Sequence, residues 1–329
     1  MPRLDSLGVP YDVDGFGNIW ASVAPAVAYT GPAFLWSCHV DTVHIAGGRQ
    51  AVEYGEDGRT VQLVKRKAGR CLGADDGAGL WLMLEMMRAG VAGGYVFHRG
   101  EEVGRLGSEY AADREPERLK PYDACVAFDR RDFADFISHQ MGRRCCSQAF
   151  AGGMSTAINL AGHKLQYRPD DGGSYTDSYS YASLVAECAN VSIGYNREHG
   201  PMETLDALHL WRLRESMVRA DFGAVPVERD CSVDEFDDWG TGGGWGGYHS
   251  WAASYQRIGT TGASVKDVSD HIGNLGWQER RALRELVQKF PEAIVELLSV
   301  YGLGVSEVLD ELTSVELAEA LQMGGGSSL

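Results

Sequence analysis

Cys71-Leu72-Gly73-Ala74-Asp75-Asp76-Gly77-Ala78-Gly79 sets two adjacent carboxylates among small residues, and the apolar run Leu80-Trp81-Leu82-Met83-Leu84-Glu85-Met86-Met87 follows at once. This pattern predicts a loop that delivers a carboxylate to the start of a buried helix. The helix is expected over Asp76–Ala89, with Gly90 as its stop. Taken alone, Asp75-Asp76 reads as a helix N-cap and its neighbour. The glycines resemble a phosphate loop only loosely. They lack the Lys-Ser/Thr ending, so nucleotide binding is rejected.

Working outward, the residues before and after this loop repeat one arrangement. Ala33-Phe34-Leu35-Trp36-Ser37-Cys38 is a continuous apolar run that ends at His39, with Asp41 two residues on. Such a run fits a strand buried on both faces, as in a parallel sheet. Gly94–His98 leads to Glu101-Glu102, Ala124–Phe128 to Asp129, and Val191–Tyr195 to His199. In an open α/β sheet, ligands bind beyond the carboxyl ends of the strands, so these segments offer their polar groups to one rim.

Further strands are expected at Ile19–Val23, over Phe133–Ala151, and as a hairpin over Val52–Lys67 that turns at Glu56-Asp57-Gly58. Helices are expected at Gly107–Arg114, Tyr179–Ala189 and Thr204–Val218. Strands alternating with helices predict an α/β fold, a mixed and mostly parallel central sheet flanked by helices. Residues 1–225 form this domain. An acidic and Gly/Trp-rich linker or flap follows over 226–263. A small helical region with a glycine- and serine-rich tail occupies 264–329.

The chain has 329 residues, 44% of them hydrophobic, enough for a substantial core. With 46 acidic against 30 basic residues and a net charge of −16, it offers no basic stripe for nucleic acid. Seven irregularly spaced cysteines without a Cys-x-x-Cys pair predict reduced, buried thiols and a cytoplasmic setting. The first residues do not read as a signal peptide, and no apolar run is long enough to span a bilayer.

Histidines and carboxylates at successive strand ends suggest a two-metal hydrolytic site. Two cations a few ångström apart repel, so a carboxylate shared between them is valuable, and Asp75 is placed for that. His39 and His199 can cap one ion each, while Glu102 and Asp129 complete the shells. Asp41 lies on the same strand face as His39 and is expected to accept its other ring N–H. Glu101 is the candidate general base for the attacking water. Such donors suit zinc, with cobalt or manganese as alternatives. Among weaker candidates, Tyr195 is the first choice for an oxyanion donor, and His139 for a substrate contact.

At these residues the sequence resembles the di-zinc exopeptidases of metallopeptidase clan MH. The matching pieces are Ser37–Val43, Leu72–Gly79, Gly100–Gly104, Phe128-Asp129 and Glu198-His199, and Leu-Gly-Ala-Asp-Asp is most like peptidase T. Ser174-Tyr175-Thr176-Asp177-Ser178 resembles the family's Thr-Asp segment, which makes Asp177 a further substrate candidate. The resemblance implies that His39, Asp75 and Asp129 hold one zinc, and Asp75, Glu102 and His199 the other. Peptidase T-like enzymes carry a lid domain between the last two ligands. Asp129 and His199 are too close in sequence for one, so the layout is that of the lidless aminopeptidase S-like enzymes. Some lidless relatives place a Tyr directly before the last His; here Glu198 stands there.

The expected activity is therefore cleavage of a peptide at a chain terminus, by an aminopeptidase or a di- or tripeptidase, through a metal-bridging hydroxide. A deacylase acting on N-acyl amino acids or cell-wall peptides would use the same site. A non-catalytic binding or assembly protein on this fold is the rival from another class. No nucleic acid or membrane partner is expected, and the C-terminal helices are the candidate surface for a homo-oligomer.

Overall fold

The structure, a computed structural model, describes residues 2–44, 50–64, 70–233 and 235. The expected helical region at 264–329, and all but the first residues of the expected linker, lie outside the described residues.

Four parallel strands lie side by side at the centre, in the order Gly93–His98, Phe34–His39, Ala124–Arg130 and Glu187–Ser192. Ile19–Val23 and then Tyr11–Val13 extend one side antiparallel. On the other side Asp135–Ile137 runs antiparallel to Glu187–Ser192, and Arg168–Asp170 pairs parallel with it. The result is the expected mixed, mostly parallel sheet.

Every residue of Phe34–His39 is buried, which explains its unbroken apolar run. Along that strand Phe34, Trp36 and Cys38 pack into one core, while Leu35 packs into another on the opposite face. The first core also holds Leu82, Met86, Phe128, Phe150 and Leu213, and the second holds Trp20, Val96, Leu119 and Tyr181.

The helix Ala74–Arg88 packs against the strands Phe34–His39 and Ala124–Arg130. Its first acidic residues, Asp75 and Asp76, keep non-helical backbone angles, and the peptide between them is cis. The helix stops as expected: the N–H groups of Gly90 and Val91 donate back to the carbonyls of Met87 and Met86. Gly79 shows why small residues follow the acidic pair. A Cβ there would collide with the Phe128 carbonyl and the Asp76 carboxylate. Leu82 is fully buried under this helix, so Leu82→Ala is expected to lower the unfolding free energy by about 2–5 kcal/mol. Urea unfolding measures it, and a loss below about 1 kcal/mol would contradict the packing described.

Four expected elements differ. Phe133–Ala151 is not all sheet, because a helix spans Gln148–Leu160, with the Ser147 hydroxyl accepting the Phe150 N–H at 3.0 Å. Gly152-Gly153 lowers its helix propensity and masks it in the sequence. The helix expected at Tyr179–Ala189 is instead a short 3-10 turn, Asp177–Tyr181, followed by the strand Glu187–Ser192. The strand expected at Val191–Tyr195 is therefore split, Val191 and Ser192 closing the central strand and Tyr195 opening a strand of the second sheet. A short apolar run such as Cys188-Ala189 does not distinguish strand from helix. Thr204–Asp206 pairs as a strand, so the helix expected from Thr204 starts at Ala207, capped by the Asp206 carboxylate.

Packed structure also continues past Val225. The Glu187 carboxylate accepts N–H groups from Ser147, Glu228 and Arg229. The buried Arg229 guanidinium donates to the carbonyls of Ala182 and Ala186, both at 2.8 Å. Residues 226–229 therefore belong to the sheet domain.

A second, four-stranded antiparallel sheet joins the expected hairpin, Val52–Tyr54 and Thr60–Leu63, to Thr204–Asp206 and Tyr195–Asn196. It ties the segment before Asp75 to the turn that carries His199. Among the described residues, no helix is long and apolar enough to cross a membrane.

His209, on the Ala207–Arg219 helix, is buried beside the Tyr167 hydroxyl at 3.0 Å. Burial pushes its pKa down to about 4. The folded protein then keeps it neutral, while the unfolded chain takes up a proton below about pH 6.5. Its stabilising effect is full above that pH and falls by about 1.4 kcal/mol per pH unit down to about pH 4. Unfolding free energies measured against pH are expected to lose about one proton of slope in this window in His209→Gln. An unchanged slope would remove His209 from the account.

Candidate metal centre

The carboxyl ends of the four parallel strands, with the turns beyond them, bring the acidic loops together at one rim. His39 ends its strand, Asp129 lies near the end of Ala124–Arg130, and the 100–102 loop follows Gly93–His98. The Asp75 carboxylate sits between two imidazoles: its Oδ1 lies 3.0 Å from His39 Nε2, and its Oδ2 3.0 Å from His199 Nε2. On the inner side, His39 Nε2 is also 3.6 Å from Asp129 Oδ1. On the outer side, His199 Nε2 is 3.1 Å from Glu102 Oε2. His39–Asp75–Asp129 and Asp75–Glu102–His199 each gather one ligand atom per residue within 4.8 Å of one another. This is the partition that the resemblance implies.

The charges and donor set fit divalent cations. Carboxylates crowded in a mostly buried site repel one another and are stable only when positive charge balances them. Glu102 Oε1 is buried without a hydrogen-bond partner among the described residues, so it remains able to coordinate. The His39 main-chain N–H donates to Asp76 Oδ2 at 3.2 Å, which ties the strand end to the acidic turn.

In the protein groups alone, the histidines carry the balancing charge. Hydrogen bonds to Asp75 and Glu102 push the His199 pKa up to about 11. For His39, burial opposes protonation, yet the Asp129 and Asp75 carboxylates raise its pKa well above the ordinary value. Burial likewise opposes ionisation of Asp75, but the two imidazoles outweigh it and hold that carboxyl low. Burial pushes Asp129 up to about 6. Burial, with Asp129 and Asp177 nearby, pushes Glu101 up to about 9. Metal ligation requires neutral imidazole and ionised carboxylate, so loading would displace these protons.

Asp41 differs from its expected part. Its main-chain carbonyl, not its carboxylate, lies 3.0 Å from His39 Nδ1; the nearer carboxylate oxygen is at 3.8 Å. The carboxylate accepts the N–H groups of Gly100, Glu101 and Glu102, at 2.8, 3.2 and 3.2 Å. Those three amides converge on it because the 100–102 loop turns tightly over the strand end. A single residue thus fixes the His39 tautomer through its backbone and the Glu101-Glu102 loop through its side chain.

Tyr195 is not an open oxyanion donor. It is buried, and its hydroxyl donates to Asp129 Oδ1 at 3.0 Å, which orients that ligand. Asp177 does not reach the cleft either. It is 1% exposed, with Oδ2 3.1 Å from Nδ1 of the buried His98, whose Nε2 lies 2.6 Å from the Tyr181 hydroxyl. His139 lies on the short hairpin strand His139–Gln140, its Nδ1 2.9 Å from the Ser138 hydroxyl, and is not part of either ligand cluster.

Three supporting residues carry weak sequence signals. Asn190, on the neighbouring strand, accepts the Asp129 N–H and donates to the Asp129 carbonyl. Thr176, next to Asp177, donates its hydroxyl to Asp129 Oδ2. Glu203 accepts from the loop around Asp75. Only Thr176 falls in a segment the sequence singles out. Asn190 sits in an ordinary strand, and the one hint of Glu203 is a lone carboxylate four residues past His199.

A sequence model described as peptidase family M28 matches residues 18–208. Among solved structures, the aminopeptidase PepT from Bacillus cereus ATCC 10987 is similar at 13% identity over 66% of this chain and 89% of that one, with a TM-score of 0.53. A tripeptidase from Staphylococcus aureus subsp. aureus mu50 is similar at 13% identity over the same shares, with a TM-score of 0.51. At such identity the likeness is one of fold. No curated protein matches the chain.

Proposed function

The chain belongs to peptidase family M28, and on that footing we propose that it is a metal-dependent exopeptidase, an aminopeptidase or a di- or tripeptidase. The observation that carries this reading is the Asp75 carboxylate with one oxygen toward each imidazole. His39, Asp75 and Asp129 would hold one divalent ion, and Asp75, Glu102 and His199 the other. Zinc suits the imidazole and carboxylate donors, with cobalt or manganese as substitutes. Two such ions would polarise the scissile carbonyl and acidify the attacking water.

Glu101 is the proton carrier in this reading. It is mostly buried among the ligands' charges, held by the loop that Asp41 clamps, and belongs to neither ligand cluster. It takes the proton that the attacking water sheds and passes it to the leaving nitrogen. Asp41 and Tyr195 hold the geometry and do not touch substrate.

The lidless layout is supported by the described stretch between Asp129 and His199. It contains the last two strands of the sheet, the Gln148–Leu160 helix, a short hairpin and the Glu187–Ser192 strand, and no separate domain. His199 is about half exposed, so the rim is open on its outer side. Among the described residues, a rim with no domain inserted between Asp129 and His199 suits the end of a peptide of variable length. The peptidase T-like motif around Asp75 is part of the same reading. Seven free thiols, six of them buried, suit a reducing, cytoplasmic setting.

The test is metal analysis of the purified protein combined with a library of short peptides, free and N-acylated, alongside N-acyl amino acids. Two equivalents of metal and release of terminal residues from free peptides are expected. Hydrolysis confined to N-acyl amino acids would make the protein a deacylase. Two bound metals without hydrolysis of any substrate would point to a binding protein.

A further inference from the structure

The geometry points to Glu203 as a positioning residue that locks the turn carrying His199 to the turn carrying Asp75, and so sets the spacing of the outer cation's ligands. This rests on the dinuclear reading above.

Glu203 is 1% exposed. Its Oε2 accepts the Gly73 N–H at 2.9 Å, and its Oε1 accepts those of Ala74 and Asp75 at 2.7 and 3.0 Å. Gly73 has φ 77, a left-handed conformation that glycine adopts without strain, and three successive amides then face one carboxylate. Such a concave run of N–H groups is an anion cradle, here filled by a side chain from a segment about 130 residues away. At its own end, the Glu203 N–H donates to the Gly200 carbonyl, one residue past His199. The turns whose His199 Nε2 and Asp75 Oδ2 stand 3.0 Å apart are thus joined by one residue, through its carboxylate on the Asp75 side and its main-chain N–H on the His199 side.

Nothing in Glu203 itself coordinates. Both of its oxygens are used by amides, and it belongs to neither ligand cluster. Charge-assisted bonds to three backbone groups restrain the Asp75 main chain, while the side chain of Asp75 stays free to be shared.

The test compares wild type, Glu203→Gln, Glu203→Asp and the control Glu187→Gln. Glu187 is equally buried and accepts as many backbone amides, but from Ser147, Glu228 and Arg229. Cobalt(II) is titrated into the metal-free proteins and followed by its visible absorption, with thermal unfolding of the metal-free proteins measured in parallel. Glu203→Gln is expected to weaken the second cobalt step by about 10–100-fold and to alter its spectrum. Glu203→Asp should recover part of that loss. Glu187→Gln should lower the unfolding temperature and leave cobalt uptake unchanged. Wild-type cobalt affinity and spectrum in Glu203→Gln would overturn the inference. So would a Gln variant that fails to fold while Glu203→Asp folds with wild-type uptake, since Glu203 would then be structural only. A wild-type protein that takes up no cobalt sinks the dinuclear reading itself, a result distinct from either.

Discussion

Glu101→Gln is expected to lower kcat by about 10²–10⁴-fold, the range for removing a positioned general base, while two equivalents of metal remain bound. The substitution keeps the shape of the side chain and removes its capacity to take a proton. The Glu101 main chain stays in place because the bond from its N–H to Asp41 does not involve the side chain. KM should change little, since Glu101 belongs to neither ligand cluster. Steady-state kinetics on a cleaved peptide, with metal content measured on the same preparation, checks it. A variant that keeps its metals and retains more than about a tenth of wild-type kcat would remove Glu101 from the chemistry.

Asp75→Ala is the second large effect, and its pattern differs. Asp75 is the one residue common to both ligand clusters. Its loss should therefore abolish activity together with the binding of both ions. Replacing a residue of one cluster only, as in Glu102→Ala, should spare one equivalent. The metal-free Asp75→Ala protein should still fold, because the burial that anchors the turn lies in Leu82, Met83 and Met86 further along the helix. Its carboxylate neighbours also lose a like charge. Metal analysis after dialysis against a fixed excess of zinc distinguishes the cases. Two equivalents retained by Asp75→Ala would mean that no carboxylate is shared and that the ions sit elsewhere.

Much of this site was legible because strand ends are legible. A run such as Phe34–Cys38 is apolar at every position only if both faces are covered, and the polar residue that ends it then stands at a sheet edge. Repeating that argument at His98 and Phe128 finds the rim without any coordinates, whereas His199 follows Tyr195–Asn196 of the second sheet. The argument is weaker where local pattern and tertiary packing disagree. Gln148–Leu160 is a helix in spite of two adjacent glycines, and Glu187 is a buried strand residue because four donors converge on it. Neither fact leaves a mark in the local sequence. The same limit governs the supporting shell. Asp41 lies just past the strand that ends at His39, and whether its carboxylate turns toward an imidazole or toward three amides depends on the path of a loop about 60 residues later. Tyr195 and Asp177 carry the right chemistry and are too deep to use it on a substrate.

The Asp41 clamp has a wider implication. With one anchor gripping three consecutive amides, the backbones of Glu101 and Glu102 are held to the strand end that carries His39. A change in the length or composition of loops that do not touch this clamp would leave those two backbones in place.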